Sequence, residues 1–245
     1  MPSSDLTLSA PRFEAARRSE HTEWLDQADL NEQELAAYLH DLARLNAAML
    51  GHWPLLRFLW RAVRAANGRP LTVLDVGCGY GDLLRAMRRW SRKHGAELRL
   101  IGVDLNTKTV GIARQATPAE DGIEYRAGDV FTLGEILKPD VIVSSLLTHH
   151  FSDAEIVSFL RWMEKTAARG WAVYDLQRSV VPYVFLGLTG KLTRLHPMVI
   201  HDGRISVTRS LTLREWRRFI AAAGIPDGTI CAGWFLYRVV LTRMR

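Results

Sequence analysis

The sequence predicts an α/β chain: a doubly wound, mostly parallel seven-stranded sheet that ends in an antiparallel hairpin and follows an N-terminal helical cap. Three observations carry this expectation. From residue 71 onward, short apolar runs alternate with helical stretches, the rhythm of βαβ units. Runs such as Leu71-Thr-Val-Leu and Val141-Ile-Val are apolar without alternation, as in strands that helices cover on both faces. The last two strands, near 229–242, are separated by little more than Gly233, a link too short for a parallel crossover.

In chain order, the start is expected to be frayed. Leu35, Leu39, Leu42, Leu45 and Met49, then Leu55, Leu56, Leu59 and Val63, fall at helical spacing and predict two helices broken near Gly51 and Pro54. Asn31 followed by Glu34 has the pattern of a capping box. Asn67-Gly-Arg-Pro70 ends the second helix, so residues 1–66 read as the cap and 67–245 as the main domain. Strands are expected near 71–76, 98–103, 122–126, 139–145 and 170–175, and helices near 82–94, 106–116, 153–167 and 212–223. Between Asp175 and Leu213 lie almost forty residues that the repeat does not need. Val180 to Leu195 is apolar and reads as helical, which makes about 178–210 a lid-like insertion beside the strand ends.

Bulk properties exclude several classes. Hydrophobic residues make up 48% of the 245, enough for a buried core. No run of about 18 uncharged apolar residues occurs, and the first residues lack a signal-peptide layout, so a cytoplasmic protein without a membrane span is expected. Cys78 and Cys231 are too few and too scattered for a metal site or a disulfide framework. The net charge is +6, and residues 178–245 hold 11 Lys/Arg against 3 Asp/Glu, so the excess sits in the last quarter. There Arg214, Arg217 and Arg218 share one helix face, which reads first as a solvated surface and second as a nucleic-acid contact.

The chemistry concentrates in Asp75-Val-Gly-Cys-Gly-Tyr-Gly81, which follows a strand and opens a helix. Doubly wound sheets bind nucleotide-like ligands at such a point. Gly77, Gly79 and Gly81 recur every second residue, not at the spacing that cradles a pyrophosphate. Asp75 would repel a pyrophosphate but suits a ligand bearing an ammonium and a sulfonium.

Val73-Leu-Asp-Val-Gly-Cys-Gly-Tyr-Gly-Asp-Leu-Leu84 resembles the first motif of class I S-adenosylmethionine methyltransferases, and further residues agree in order. The resemblance implies S-adenosylmethionine as cofactor, held by Asp75, Gly77, Cys78, Gly79 and Gly81. Asp104, in Ile101-Gly-Val-Asp-Leu-Asn, matches the residue that accepts from both ribose hydroxyls, and Asp129, in Ala127-Gly-Asp-Val, matches the one that accepts from the adenine amine. Leu105 and Val130 would then pack on the adenine, while Ser145 and Leu146, at the exit of the fourth strand, would line the methionine end.

For the methyl acceptor the candidates are histidines. A neutral imidazole takes a hydroxyl proton near pH 7, and His149 and His150 leave the fourth strand toward the expected pocket. His149 is the first choice as base, because Phe151 and Asp153 suggest that His150 turns into the next helix. His201 beside Asp202 is a third candidate, although His-Asp-Gly is also ordinary turn composition. Tyr183, Phe185, Leu186, Leu188 and Met198 could roof a pocket for an aromatic or lipid-like acceptor, or could simply pack as core. The layout is similar to methyltransferases of quinols, phenols and polyketide-type products, which implies O-methylation first and C-methylation next. No acidic cluster follows the fourth strand, so no metal is expected.

Two other readings compete. An RNA methyltransferase acting on ribose or a purine ring would use the basic tail. Base-amine and cytosine-C5 chemistry are disfavoured by Ser144-Ser-Leu-Leu at the fourth strand and by the absence of a placed cysteine nucleophile. A non-catalytic interaction module would show eroded cofactor motifs, and none is eroded here.

Overall fold

The computed structural model describes residues 12–27, 30–189, 197–234 and 237–245. A one-turn helix α1 (Trp24–Gln27) precedes α2 (Glu32–Ala48) and α3 (Trp53–Ala66), broken where Gly51 and Pro54 were expected to break them. Asn31 Oδ1 accepts from the Glu34 amide at 3.0 Å while Glu34 accepts from the Asn31 amide at 3.2 Å, so the capping box forms as read.

Five parallel strands follow: β1 (Leu71–Val76), β2 (Leu98–Asp104), β3 (Ile123–Ala127), β4 (Val141–Ser145) and β5 (Gly170–Leu176). The terminal pair β6 (Ile230–Trp234) and β7 (Arg238–Met244) is antiparallel, with β7 inserted beside β5. The seven-stranded order is β3-β2-β1-β4-β5-β7-β6, so the winding reverses between β1 and β4. That reversal opens a crevice at the carboxyl ends of these two strands.

Helices α4 (Asp82–His94) and α5 (Thr107–Gln115) join α3 on one face of the sheet. There Leu71, Val73, Leu100, Val141 and Val143 pack against Leu55, Phe58, Leu84, Met87 and Val110, all buried. Helices α7 (Asp153–Thr166) and α10 (Leu213–Ala222) take the other face, where Leu74, Ile101, Ile142 and Val173 meet Phe159, Leu160, Met163 and Trp216. Each such side chain contributes roughly 1.5–3 kcal/mol on burial.

Four expectations need correction. Helix α6 (Val130–Leu137) was not expected; its eight residues span little more than two turns and include Gly134, too short a window to show a period. The insertion holds α8 (Val180–Thr189) and a second helix, α9 (Pro197–Arg209), so His201-Asp-Gly203 is helical and not a turn. A Cβ on Gly203 would come within 3.3 Å of Leu186 Cδ1, so the glycine lets α9 pack closely on α8. The end expected for the first of these helices, 190–195, lies outside the described residues. Gly233 sits inside β6 opposite Val239, and the hairpin link follows it.

The expected frayed start is, over residues 12–27, a tied strap. Arg18 donates to the carbonyls of Arg209 at 2.7 Å, Phe151 at 2.7 Å and His149 at 3.2 Å, and pairs with Asp153 at 3.0 Å. The Ser19 amide donates to Thr208 O at 3.0 Å. These bonds lay the strap across α9 and the β4–α7 turn.

Candidate active site

The β1–α4 loop turns on glycines whose φ angles are +68° at Gly77, +49° at Gly79 and +75° at Gly81. Gly81 also lies against Tyr125, whose Oη would be 2.2 Å from an added Cβ. A Cβ on Gly79 would meet nothing within 4 Å, so its face is open to the cavity. The Gly79 amide donates to Asp104 Oδ2 at 3.0 Å, and the Asn106 amide to Asp104 Oδ1 at 3.0 Å, which fixes the β2 carboxylate at the crevice.

Asp75 is buried, and its Oδ1 has no hydrogen-bond partner among the described residues. Burial first, then the neighbouring carboxylates of Asp82 and Asp104, pushes the Asp75 carboxyl well above the usual range. Burial also raises Asp104, against the amides of Asn106 and Gly79. His52, at the start of α3, approaches Asp82 Oδ2 at 2.7 Å. An orphaned buried oxygen amid like charges fits a cationic ligand group, and the open Gly79 face leaves room for it. Cys78 is buried beside this cluster, and its thiol is pushed up by burial and by Asp75, so it is not a nucleophile.

Across the crevice, the single turn Thr148–His150 after β4 places His149 at 4% exposure. Its Nδ1 is 2.7 Å from Asp175 Oδ1, and its Nε2 is 3.4 Å from Glu23 Oε1. Asp175, at the end of β5, also accepts from the His149 amide at 3.2 Å and from Thr148 Oγ1. His150 Nε2 is 3.7 Å from the same Glu23 oxygen, and Ser206 Oγ donates to it at 2.6 Å. Burial alone would lower His149, but Asp175 and Glu23 outweigh it and hold the imidazole at about 9. Burial would raise Glu23, yet its bond to His149 and the charges of both histidines hold it at about 2. His149 therefore rests as an imidazolium near pH 7, not in the neutral form expected from its ordinary value.

Glu23, His149 and His150 bring ligand atoms within 4.8 Å of one another, a set that the residues after β4 alone did not suggest. Asp175 behind His149 would orient such a ligand.

A cavity of about 590 Å³ joins both sides of the crevice. Asp75, Gly77, Cys78, Gly79, Asp104, Leu105, Ser145, Leu146, His149 and His150 line it. Leu39 and Leu42 of α2, with Leu186 and Val199 of the insertion, form its apolar walls. Tyr183 and Met198 are buried nearby, whereas Phe185 and Leu188 are 43% and 58% exposed and do not roof it. Gly81, Asp129 and Val130 lie outside the lining. Asp129 caps α6, its Oδ1 accepting from the Phe131 amide at 2.9 Å.

His201 does not reach the cavity either: it packs on Trp24 with ring centroids 4.7 Å apart and pairs with Asp202 at 3.1 Å. Asp202 in turn accepts from the amides of Trp24 and Leu25 at 2.9 and 3.1 Å, a structural task. Glu23, Asp175, Asp82 and His52 are the residues that sequence reasoning missed. Only Asp175 had a sequence signal, a carboxylate closing a strand that points at the crevice.

Residues 73–170 match the family described as methyltransferase domain. This match covers 98 of the 245 residues and makes that stretch similar to a methyltransferase domain. Among solved structures, human N-acetylserotonin methyltransferase in complex with S-adenosylmethionine superposes with a TM-score of 0.61 at 15% identity, over 88% of this chain. The chain spans 56% of that enzyme's length. The plantazolicin methyltransferase BpumL with S-adenosylhomocysteine gives 0.59 at 15% identity, covering 87% of this chain and 95% of its own. Magnesium protoporphyrin IX methyltransferase from Synechocystis, with S-adenosylhomocysteine, gives 0.54 at 18%, covering 89% of each. No curated protein matches the sequence. Each of these neighbours was solved with S-adenosylmethionine or S-adenosylhomocysteine. No described helix is long and apolar enough to cross a membrane.

Proposed function

We propose that the enzyme O-methylates a small aromatic, quinol or polyketide-type hydroxyl, with His149 as base. The observation that carries this reading is the Asp175–His149–Glu23 chain facing the same cavity as the Asp75–Asp104 loop. The cavity volume falls in the range of small-ligand sites, roughly 300–1,000 Å³. Among the described residues of the basic last quarter, several cations already have partners: Arg178 has Glu215, Arg209 has backbone carbonyls and Arg243 has Glu164, which speaks against a stripe for nucleic acid. The Arg214, Arg217 and Arg218 face is left exposed on α10.

S-adenosylmethionine supplies an electrophilic methyl on a sulfonium. Asp75 would hold its ammonium, Asp104 its ribose hydroxyls, and Ser145 and Leu146 the methionine end. Asp129 and Val130, outside the lining, would take the adenine role that the motif implies. The described residues of 1–66 and 178–210 would act as cap and lid, excluding water so that nucleophile and methyl align. The neutral form of His149 would accept the acceptor's hydroxyl proton at Nε2, and the bound donor would supply the electrophilic methyl to that oxygen. Asp175 holds Nδ1–H, and both carboxylates stabilise the imidazolium that results. A phenol, with an ordinary value near 10, is matched to a base held at about 9.

Calorimetric titration with S-adenosylmethionine and S-adenosylhomocysteine, followed by mass spectrometry of an acceptor panel, tests this reading. Binding of both and methylation of a phenolic oxygen are expected. Absence of binding at millimolar ligand would sink it.

A further inference from the structure

Arg238 opens β7, is 7% exposed, and lines the cavity. Its surroundings differ from those of Arg178, which is also buried. Arg178 meets Glu215 at 2.7 Å and the carbonyl of Ser210 at 2.7 Å. Arg238 has no carboxylate within ion-pair distance among the described residues; its Nη2 approaches Met49 Sδ at 3.7 Å, and its Nε is unpartnered. On the neighbouring strand, buried Tyr174 Oη lies close enough to the Arg238 guanidinium for the two to interact, and it has no other hydrogen-bond partner among the described residues. A buried charge is retained when something complements it. Here a fixed fork of donors and a hydroxyl stand at the cavity wall without an anion.

We infer that Arg238 and Tyr174 seat a carboxylate of the methyl acceptor, so that the substrate is an anionic aromatic or polyketide-type hydroxy acid. The inference rests on the methyltransferase reading, because it assigns the cofactor to β1. Leu176 pairs with Arg238 and Tyr174 with Val240, so Arg238 and Tyr174 share the sheet face opposite Asp175. β7 stands three strands from β1, on the order of 14 Å at about 4.8 Å per strand. The methionine carboxylate shares a carbon with the ammonium that Asp75 holds, which leaves Arg238 to the acceptor. The acceptor then lies across the carboxyl end of β5, with its hydroxyl toward His149 on one side and its carboxylate on Arg238 on the other.

Benzoate and benzamide, titrated into the complex with S-adenosylhomocysteine and followed by saturation-transfer NMR, test this. Benzoate should bind the unaltered protein at least about tenfold more tightly than benzamide, a charge-assisted hydrogen bond being lost in the amide. Arg238→Met should abolish that preference while leaving affinity for S-adenosylhomocysteine unchanged, and Arg238→Lys should retain part of it. If Arg238→Met does not fold, Tyr174→Phe should weaken benzoate selectively. Equal affinities in the unaltered protein, or no benzoate binding, would overturn the inference. So would a loss of S-adenosylhomocysteine affinity in Arg238→Met, which would give the carboxylate seat to the cofactor. Failure of the unaltered protein to bind S-adenosylhomocysteine would instead sink the methyltransferase reading.

Discussion

His149 Nδ1 lies 2.7 Å from Asp175 Oδ1 while its Nε2 faces Glu23 Oε1 at 3.4 Å, so one imidazole is held between carboxylates from β5 and from the N-terminal strap. The consequence is kinetic. With His149 at about 9, its neutral form is a minority at pH 7 and grows as pH rises. The pH profile of kcat/KM should therefore climb through neutrality and level off above about 9. Glu23→Gln removes one of the two carboxylates that raise His149, so the limb should move to lower pH. A limb that stays in place would take His149 out of the mechanism.

The same pair makes a prediction about stability. Glu23 is depressed from 4.5 to about 2, so its contribution is present above pH 4.5 and lost as pH falls toward 2. His149 is raised from 6.5 to about 9, so its contribution is present below pH 6.5 and lost as pH rises through 9. Breaking a buried pair by removing one partner costs about 3–5 kcal/mol. The drop in melting temperature of Glu23→Gln relative to the unaltered protein should be largest between pH 4.5 and 6.5. It should shrink on both sides, as read by calorimetry.

Asp75→Asn tests the cation seat. The amide keeps the shape but removes the charge, and the buried site already strains to hold that charge without a partner. The variant should be at least as stable as the parent. Its affinity for S-adenosylmethionine should nevertheless fall about 10- to 100-fold, the loss expected for a hydrogen bond to a charged group. Unchanged affinity would place the ammonium elsewhere.

Gly79 and Gly95 both have positive φ, +49° and +62°, and an added Cβ meets nothing at either. Alanine at each should cost a similar amount of stability, about 1 kcal/mol for the left-handed backbone. Only Gly79 lines the cavity, so only Gly79→Ala should also weaken S-adenosylhomocysteine. Equal binding by both variants would show that the loop is not the cofactor's seat.

How much of this was legible in the sequence depends on the range of the interaction. Strand and helix periods gave β1 to β5 and α4, α5 and α7 to within two residues at each end, because they are local. Ser152 with Glu155 and Thr212 with Glu215 form capping boxes like that of Asn31, and the same spacing would have found them. Helix α9 was missed because Pro197 and Gly203 read as breakers, while Gly203 is set by contact with Leu186 on α8. The motif brought Asp75 and Asp104 to one crevice. Glu23 was illegible: it reaches His149 across 126 positions only because Arg18 ties the strap to Arg209, Phe151 and Asp153.

That strap also bears on metals. Glu23, His149 and His150 could accept a divalent ion, yet in the protein a proton on His149 already satisfies both carboxylates. We predict that methyl transfer needs no metal, so a chelator should leave turnover unchanged. Added zinc should inhibit, because it binds neutral imidazole and would occupy the Nε2 that must accept the hydroxyl proton. Binding of the metal displaces a proton from a group held at about 9, so inhibition should deepen as pH rises from 6 toward 8. Glu23→Gln should blunt it by removing one ligand. Turnover abolished by a chelator and restored by zinc would reverse the assignment and make the trio a metal centre.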